Sequence, residues 1–217
     1  MNELEVFLSE EPQLTSPPTA YRRRIILGIS GATGITYGIR LLEEMRALNV
    51  ETHLVVSRAG DITRAYETEL SFKDLREKAD VQYPNQDVGA SIASGSFRNL
   101  GMIIAPCSMR TLAEIATGVT TSLLTRAADV CLKERRRLVL LTREAPLTSI
   151  HLKNMLAVTE AGGIVFPPVP AFYSKPASLS EMVDHTVGRV LDLFQLDSDL
   201  VHRWRENSSV ATFSSAD

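Results

Sequence analysis

Four short stretches of this chain carry residue types that could hold a phosphate and move a proton beside it. Arg126 and Lys133 stand seven residues apart, two helical turns, which places both on one face of a helix. Arg143 and Glu144 follow an apolar run and could reach the same cleft from the end of the next strand. Paired cations suit a phosphate, and a neighbouring carboxylate can give or take a proton. Spacing alone supports surface ion pairing equally well, and Glu134 to Arg137 reads as a solvated run. The second stretch, Ser30-Gly31-Ala32-Thr33-Gly34, puts glycines between an apolar run and a helical pattern. Backbone N–H groups can there approach an anion near a helix N-terminus. The G-x-G-x-x-G spacing is incomplete, and Ser57 stands where a ribose-binding acid would end the second strand, so a mononucleotide phosphate fits better than NAD.

The third stretch is Pro106-Cys107-Ser108-Met109-Arg110-Thr111. Ser108 is placed to cap a helix, and a cap and a ligand contact are compatible at one terminus. Cys107 is a poor candidate nucleophile, because no His is fixed near it. The fourth is Tyr173, behind the stiff segment Phe166 to Phe172 with its three prolines, either a lid residue or core filler. Arg189, alone among Val187, Val190 and Leu191, is either a snorkelling surface cation or a phosphate ligand.

The elements that must position these residues alternate along the chain. Apolar runs at Arg24–Ile29, Thr52–Val56, Met102–Ala105, Leu138–Thr142 and Ile164–Phe166 read as buried strands, the third stopped by Pro106. Helical periods fall at 35–48, 62–69, 108–117, 121–135, 148–160 and 178–193, with a capped short helix from Ser71. The pattern predicts an α/β fold: three layers, a parallel sheet with helices on both faces. Ligands in such folds bind beyond the C-terminal ends of the strands.

The chain has 217 residues and suits a single domain over 22–205, with an extension at 1–21 and a Ser-rich tail at 206–217, both expected to be disordered. A net charge of −3 argues against a general nucleic-acid binder, although 18 of the 23 basic residues are Arg. Two separated cysteines and four scattered histidines give no metal-ligand spacing, so no metal is expected. No apolar run is long enough to span a bilayer. The extension carries Glu3, Glu5, Glu10 and Glu11 and no Lys or Arg before Arg22, unlike a secretory or transit signal, which points to the cytoplasm.

With these motifs assembled, the chain resembles the UbiX-like flavin prenyltransferases, which include the phenylacrylic acid decarboxylase accessory proteins. The resemblance runs from about Arg24 to Trp204 on GISGATG (28–34), THLVVS (52–57), ASGS (93–96), PCSMRTL (106–112), TRAADVCLKERR (125–136), REAPL (143–147), HLKNML (151–156) and PAFY (170–173). It implies a Rossmann-like, flavodoxin-like domain that binds FMN at oligomer interfaces, typically in a dodecamer. The implied reaction joins a dimethylallyl group from dimethylallyl phosphate to nitrogen-5 and carbon-6 of reduced FMN. The prenylated FMN then serves a UbiD-like decarboxylase. Carried over, Gly31, Ala32, Thr33, Ser57, Ser108, Met109, Arg110, Thr111 and Arg143 contact FMN. Tyr173 and Arg189 bind the prenyl phosphate, Arg126 and Lys133 add positive charge, and Trp204 helps close the prenyl pocket. Glu67, Lys133 and Glu144 are the catalytic positions. Thr33 stands where the family commonly has Ser, and Arg137 where Pro is usual. The acidic extension has no counterpart in the family. The related FMN-dependent cysteine decarboxylases and a non-catalytic FMN carrier are the rival readings. The first uses a PASANT-type turn and a catalytic His, where this chain has PCSMRT and no matching His.

Overall fold

The computed structural model describes residues 22–201 and 203. The expected extension, tail and Trp204 therefore lie outside the described residues. Six parallel strands form one sheet: β1 (Arg24–Ile29), β2 (Glu51–Val56), β3 (Val81–Tyr83), β4 (Gly101–Cys107), β5 (Arg137–Thr142) and β6 (Ile164–Val165). Their order is β3-β2-β1-β4-β5-β6, so the winding reverses between β1 and β4. Seven helices accompany them among the described residues: α1 (Ile35–Ala47), α2 (Arg58–Glu67), α3 (Phe72–Glu77), α4 (Met109–Thr117), α5 (Leu123–Lys133), α6 (Ser149–Glu160) and α7 (Leu179–Asp192).

Alternation along β1 divides the interior into two cores. Ile25, Leu27 and Ile29 face α1, α3 and α7 through Leu41, Leu42, Leu75, Val187 and Leu191. Ile26 faces the other side, where α4, α5 and α6 contribute Leu112, Leu124, Ala128 and Val158. This is the expected three-layer α/β arrangement. It places every strand's C-terminal end, and the N-terminus of each following helix, along one rim.

Three expectations needed adjustment. β4 does not stop before Pro106; its pairing with β5 shifts register between Ile104 and Cys107, and such an irregularity accommodates a proline. α2 begins at Arg58 rather than Ile62, because Ser57 caps it by accepting from the Gly60 N–H at 3.0 Å. β3 was not expected, since three half-buried residues show no period, and its place is set by pairing with β2.

A polar network lies near the opposite rim. His53 is buried, with Nε2 2.8 Å from Glu51 and Nδ1 2.9 Å from the Tyr83 hydroxyl. Phe97 packs its ring edge-on against the imidazole. Burial lowers the His53 pKa, opposed by the hydrogen bond that the imidazole donates to the Glu51 carboxylate. The unfolded chain protonates this residue near its ordinary value of about 6.5, whereas the folded chain resists protonation. The contribution is therefore complete above that pH and is lost as pH falls. Thermal melts are expected to show Tm dropping between pH 7 and pH 5, with His53→Gln removing part of that slope. An unaltered slope would show that other groups control it.

Candidate functional site

Three helix N-termini converge on one cleft at the rim. Each is set by a side-chain cap, so the chain's path is fixed locally before any ligand arrives. Ser57 caps α2, Ser108 caps α4 by accepting from the Thr111 N–H at 3.2 Å, and Ser122 caps α5 in a reciprocal box with Thr125. Gly31, Ser57, Arg58, Ser108, Arg110, Thr111 and Ser122 are among the residues lining the cleft. Free N–H groups and helix dipoles at the three ends favour negative charge, and Arg58 and Arg110 add two cations. The donor set fits the phosphate of a mononucleotide.

Ser30 holds the strand ends in place. Its hydroxyl donates to the Pro106 carbonyl at 3.0 Å and accepts from the Ser108 N–H at 2.8 Å, joining the β1 exit to the β4 exit. The Ser30 N–H also donates to Pro106 O, and the Ser57 N–H donates to Ile29 O. Gly31 follows, packed so closely on α2 that an added Cβ would fall 2.3 Å from the Ala59 Cβ.

The glycine loop contributes differently from the expectation of a phosphate at the N-terminus of α1. The Glu67 carboxylate already occupies that terminus, accepting from the N–H groups of Gly34 at 2.9 Å and Ile35 at 3.0 Å. An internal anion thus covers the α1 dipole, while Gly31 serves the neighbouring cleft by allowing α2 to approach. Sequence could not reveal this, because Glu67 is more than thirty residues from the amides it meets.

The structure gathers Gly31, Ser57, Ser108, Arg110 and Thr111 of the expected residues around the cleft. Ala32 and Thr33 continue from Gly31 toward Glu67, with Thr33 exposed. Met109 instead packs against the core beneath α4. Arg143 and Glu144 leave the end of β5 on the same rim, both exposed; the Arg143 N–H donates to the Cys107 carbonyl at 3.2 Å. Tyr173 lies on a short turn with its hydroxyl 3.1 Å from His185 Nε2. Arg189 is one turn beyond His185 on α7, 3.6 Å from Asp192.

Arg126 and Lys133 do not form a cationic pair over this cleft. Arg126 is held by Asp129 at 2.6 Å, and Lys133 by its neighbour Glu134. Lys133 also lies about 16 Å along α5 from the Ser122 cap, at 1.5 Å per residue, and so at the opposite rim. The two-turn spacing gave the helix face correctly but not the rim. Cys107 is fully buried and its thiol pKa is pushed far up by desolvation, which removes it as a nucleophile.

Several lining residues had no place in the sequence reading. Asn85 accepts from Leu124 N through its side chain and from Leu123 N through its carbonyl, binding the start of α5 to the loop after β3. Glu114 accepts from Arg110 Nε and from the Thr121 hydroxyl, both at 3.0 Å. The Ser122-x-x-Thr125 pattern was a readable cap signal; Asn85 and Glu114 carried none.

Comparison with known proteins agrees with this geometry. Residues 14–197 match the Flavoprotein family. The chain is 54% identical over 183 residues to the flavin prenyltransferase UbiX of Neisseria meningitidis, covering 84% of this chain and 97% of that one. The chain belongs to the UbiX-like flavin prenyltransferase family. The mitochondrial flavin prenyltransferase of Saccharomyces cerevisiae is 52% identical over 190 residues, which is 88% of this chain and 78% of its relative. Among solved structures of this family, AnUbiX in complex with FMN and dimethylallyl pyrophosphate superposes with a TM-score of 0.84 at 53% identity, covering 85% and 98% of the two chains. A dodecameric FMN-dependent UbiX-like protein from Escherichia coli O157:H7 gives 0.82 at 48%, covering 83% and 98%. An FMN-dependent cysteine decarboxylase is only 14% identical, a likeness of fold alone.

Proposed function

We propose that this protein transfers a dimethylallyl group from dimethylallyl phosphate to reduced FMN, and that the prenylated FMN is released to a UbiD-like decarboxylase. The observation that carries this reading is the match to the FMN- and prenyl donor-bound relative across nearly the whole described fold, together with an anion cradle where the C-terminal ends of this chain's strands meet the capped helix ends. When bound, reduced FMN supplies the nucleophilic ring atoms, nitrogen-5 and carbon-6.

The chain's own residues do the positioning. Gly31, Ala32, Thr33, Ser57, the turn from Ser108 to Thr111 and Arg143 hold FMN, with the phosphate against the capped helix ends. Tyr173 and Arg189 bind the prenyl phosphate, with Arg126 and Lys133 adding positive charge. A departing phosphate needs fixed cations already in place, because preorganised charge stabilises charge that develops during the reaction. Glu67, hydrogen-bonded to the Gly34 and Ile35 amides, and Glu144 at the end of β5 hold and move protons. Trp204, which the family resemblance assigns to closing the prenyl pocket, lies outside the described residues.

One chain is not sufficient for this site. The cleft measures about 180 Å³, below the roughly 300–1,000 Å³ of small-molecule pockets. It suits a phosphate and its sugar chain and leaves a flavin ring to be covered from outside. Lys133, at the opposite rim, can meet that ring only from another copy. α6 exposes Ile150, Leu152 and Leu156, apolar surface that a neighbouring subunit would bury. We therefore place the flavin between subunits of a homo-oligomer, a dodecamer as in the Escherichia coli relative. No described helix is long and apolar enough to cross a membrane. We propose the cytoplasm as the place of the activity.

Anaerobic incubation with reduced FMN and dimethylallyl phosphate, followed by mass analysis of the released flavin, tests the reading. A gain of one dimethylallyl unit is expected. Unchanged FMN with both the monophosphate and the diphosphate would refute it.

A further inference from the structure

Tyr173 and Arg189 come from different elements and are brought together by a third residue, His185. The tyrosine stands in a tight turn. The Ser174 N–H and hydroxyl both donate to the Ala171 carbonyl, at 3.1 and 2.7 Å, and the Lys175 N–H donates to the Phe172 carbonyl at 3.0 Å. These bonds fix the backbone, while the side chain is 46% exposed, so burial alone does not hold the ring. His185 meets it: Nε2 lies 3.1 Å from the Tyr173 hydroxyl, and the imidazole packs edge-on against the phenol with centroids 5.7 Å apart at 82°. The helix that carries His185 is firmly seated. Val187, Val190 and Leu191 bury one face of α7 in the core, and Asp184 accepts from Arg40 on α1 at 2.6 Å. Residues four apart on a helix are neighbours on one face, so His185 sets the phenol beside Arg189.

We propose, resting on the assignment of Tyr173 and Arg189 to the prenyl phosphate, that His185 is a positioning residue for that substrate. Its Nε2–H donates to the Tyr173 hydroxyl oxygen and leaves the phenol's own proton for a phosphate oxygen. A phenol has one proton to give, and its oxygen can also accept. Were Nε2 the acceptor, that proton would be spent on the imidazole and the phosphate would face lone pairs. With Nε2–H as donor, the hydroxyl is held in place and its proton is directed away from His185. A donor ordered before the substrate arrives loses less conformational freedom on binding than a mobile one. A recess of about 220 Å³ beside His185, lined by Glu181, Asp184 and Asp199 among others, does not compete for the substrate, because carboxylates repel a phosphate. The phosphate is thus received by a phenol and a guanidinium offered from one helix face, the first through His185 and the second directly.

The test measures kcat/KM for dimethylallyl phosphate with reduced FMN in the full-length enzyme, for His185→Phe, His185→Gln, Tyr173→Phe and the pair Tyr173→Phe/His185→Phe. His185→Phe keeps an aromatic ring against the phenol and removes the N–H; it should lower kcat/KM about tenfold, the worth of one hydrogen bond. His185→Gln puts an amide N–H near the position of Nε2 and should recover most of that loss. FMN affinity should be unaltered throughout, with melting curves confirming that each variant is folded. In the Tyr173→Phe background His185→Phe should add nothing, because the hydroxyl through which it acts is gone. A penalty of equal size in both backgrounds would overturn the proposal. So would a kcat/KM indifferent to His185→Phe where Tyr173→Phe lowers it; either result leaves the assignment of Tyr173 to the phosphate standing. A kcat/KM unmoved by Tyr173→Phe would instead overturn that assignment, and the role of His185 with it.

Discussion

Gly31→Ala is expected to weaken FMN binding by about tenfold to a hundredfold while leaving the protein folded. The added methyl would stand 2.3 Å from the Ala59 Cβ and 3.0 Å from the Ala59 carbonyl carbon, closer than real side chains pack. Neither atom is the end of a flexible side chain, so the start of α2 must retreat, taking the Ser57 cap and Arg58 with it. Overpacking of this kind costs about 1–3 kcal/mol, and its consequence falls on the cleft that α2 borders. Fluorescence titration with FMN reads the loss. Gly31→Ala/Ala59→Gly removes the colliding methyl and should recover most of the affinity. If the double variant binds no better than the single one, Gly31 matters for a reason other than the approach of α2.

Lys133→Ala is expected to reduce prenyl transfer by about a hundredfold to a thousandfold, the usual cost of removing one preorganised charge from a reacting centre. FMN affinity should change far less, because Lys133 lies at the other end of α5 from the cradle. The informative measurement is complementation. Lys133→Ala subunits keep an intact cleft, and Gly31→Val subunits keep an intact lysine, yet each homo-oligomer should be inactive. Co-expression in random mixture places a sound cleft beside a sound lysine at roughly one site in four, given one neighbour per site. Activity near a quarter of the unaltered enzyme is therefore expected. A mixture as inactive as its components would show that Lys133 serves its own chain's cleft, or none.

Lys133 also shows where the sequence stops. Two helical turns between Arg126 and Lys133 specify a face of α5 and nothing about which rim each residue reaches. That depends on the direction in which the helix crosses the sheet. The capped start of α5 at Ser122 then fixes Lys133 at the far end. Glu67 is a second case. Its family position was recognisable, but its hydrogen bonds to the Gly34 and Ile35 amides exist only because α2 returns across the start of α1.

By itself the sequence determined the architecture and the chemical class. Apolar runs of strand length alternate with helical periods, and burial on both faces permits little but a parallel sheet between helix layers. The caps at Ser71 and Ser108 and the Gly31 turn were legible because caps and tight approaches are local requirements on residue type, whereas the Ser57 and Ser122 caps emerged only with the structure. The tertiary structure decided which caps share a cleft. Ser57, Ser108 and Ser122 are scattered along the chain and meet only because β2, β1 and β4 are neighbours in the sheet. It also decided that Asn85 and Glu114 belong to that cleft and that Pro106 lies within a strand. Long-range pairing leaves no periodic trace in the residues it joins, so these contacts depend on the strand order and not on any single segment.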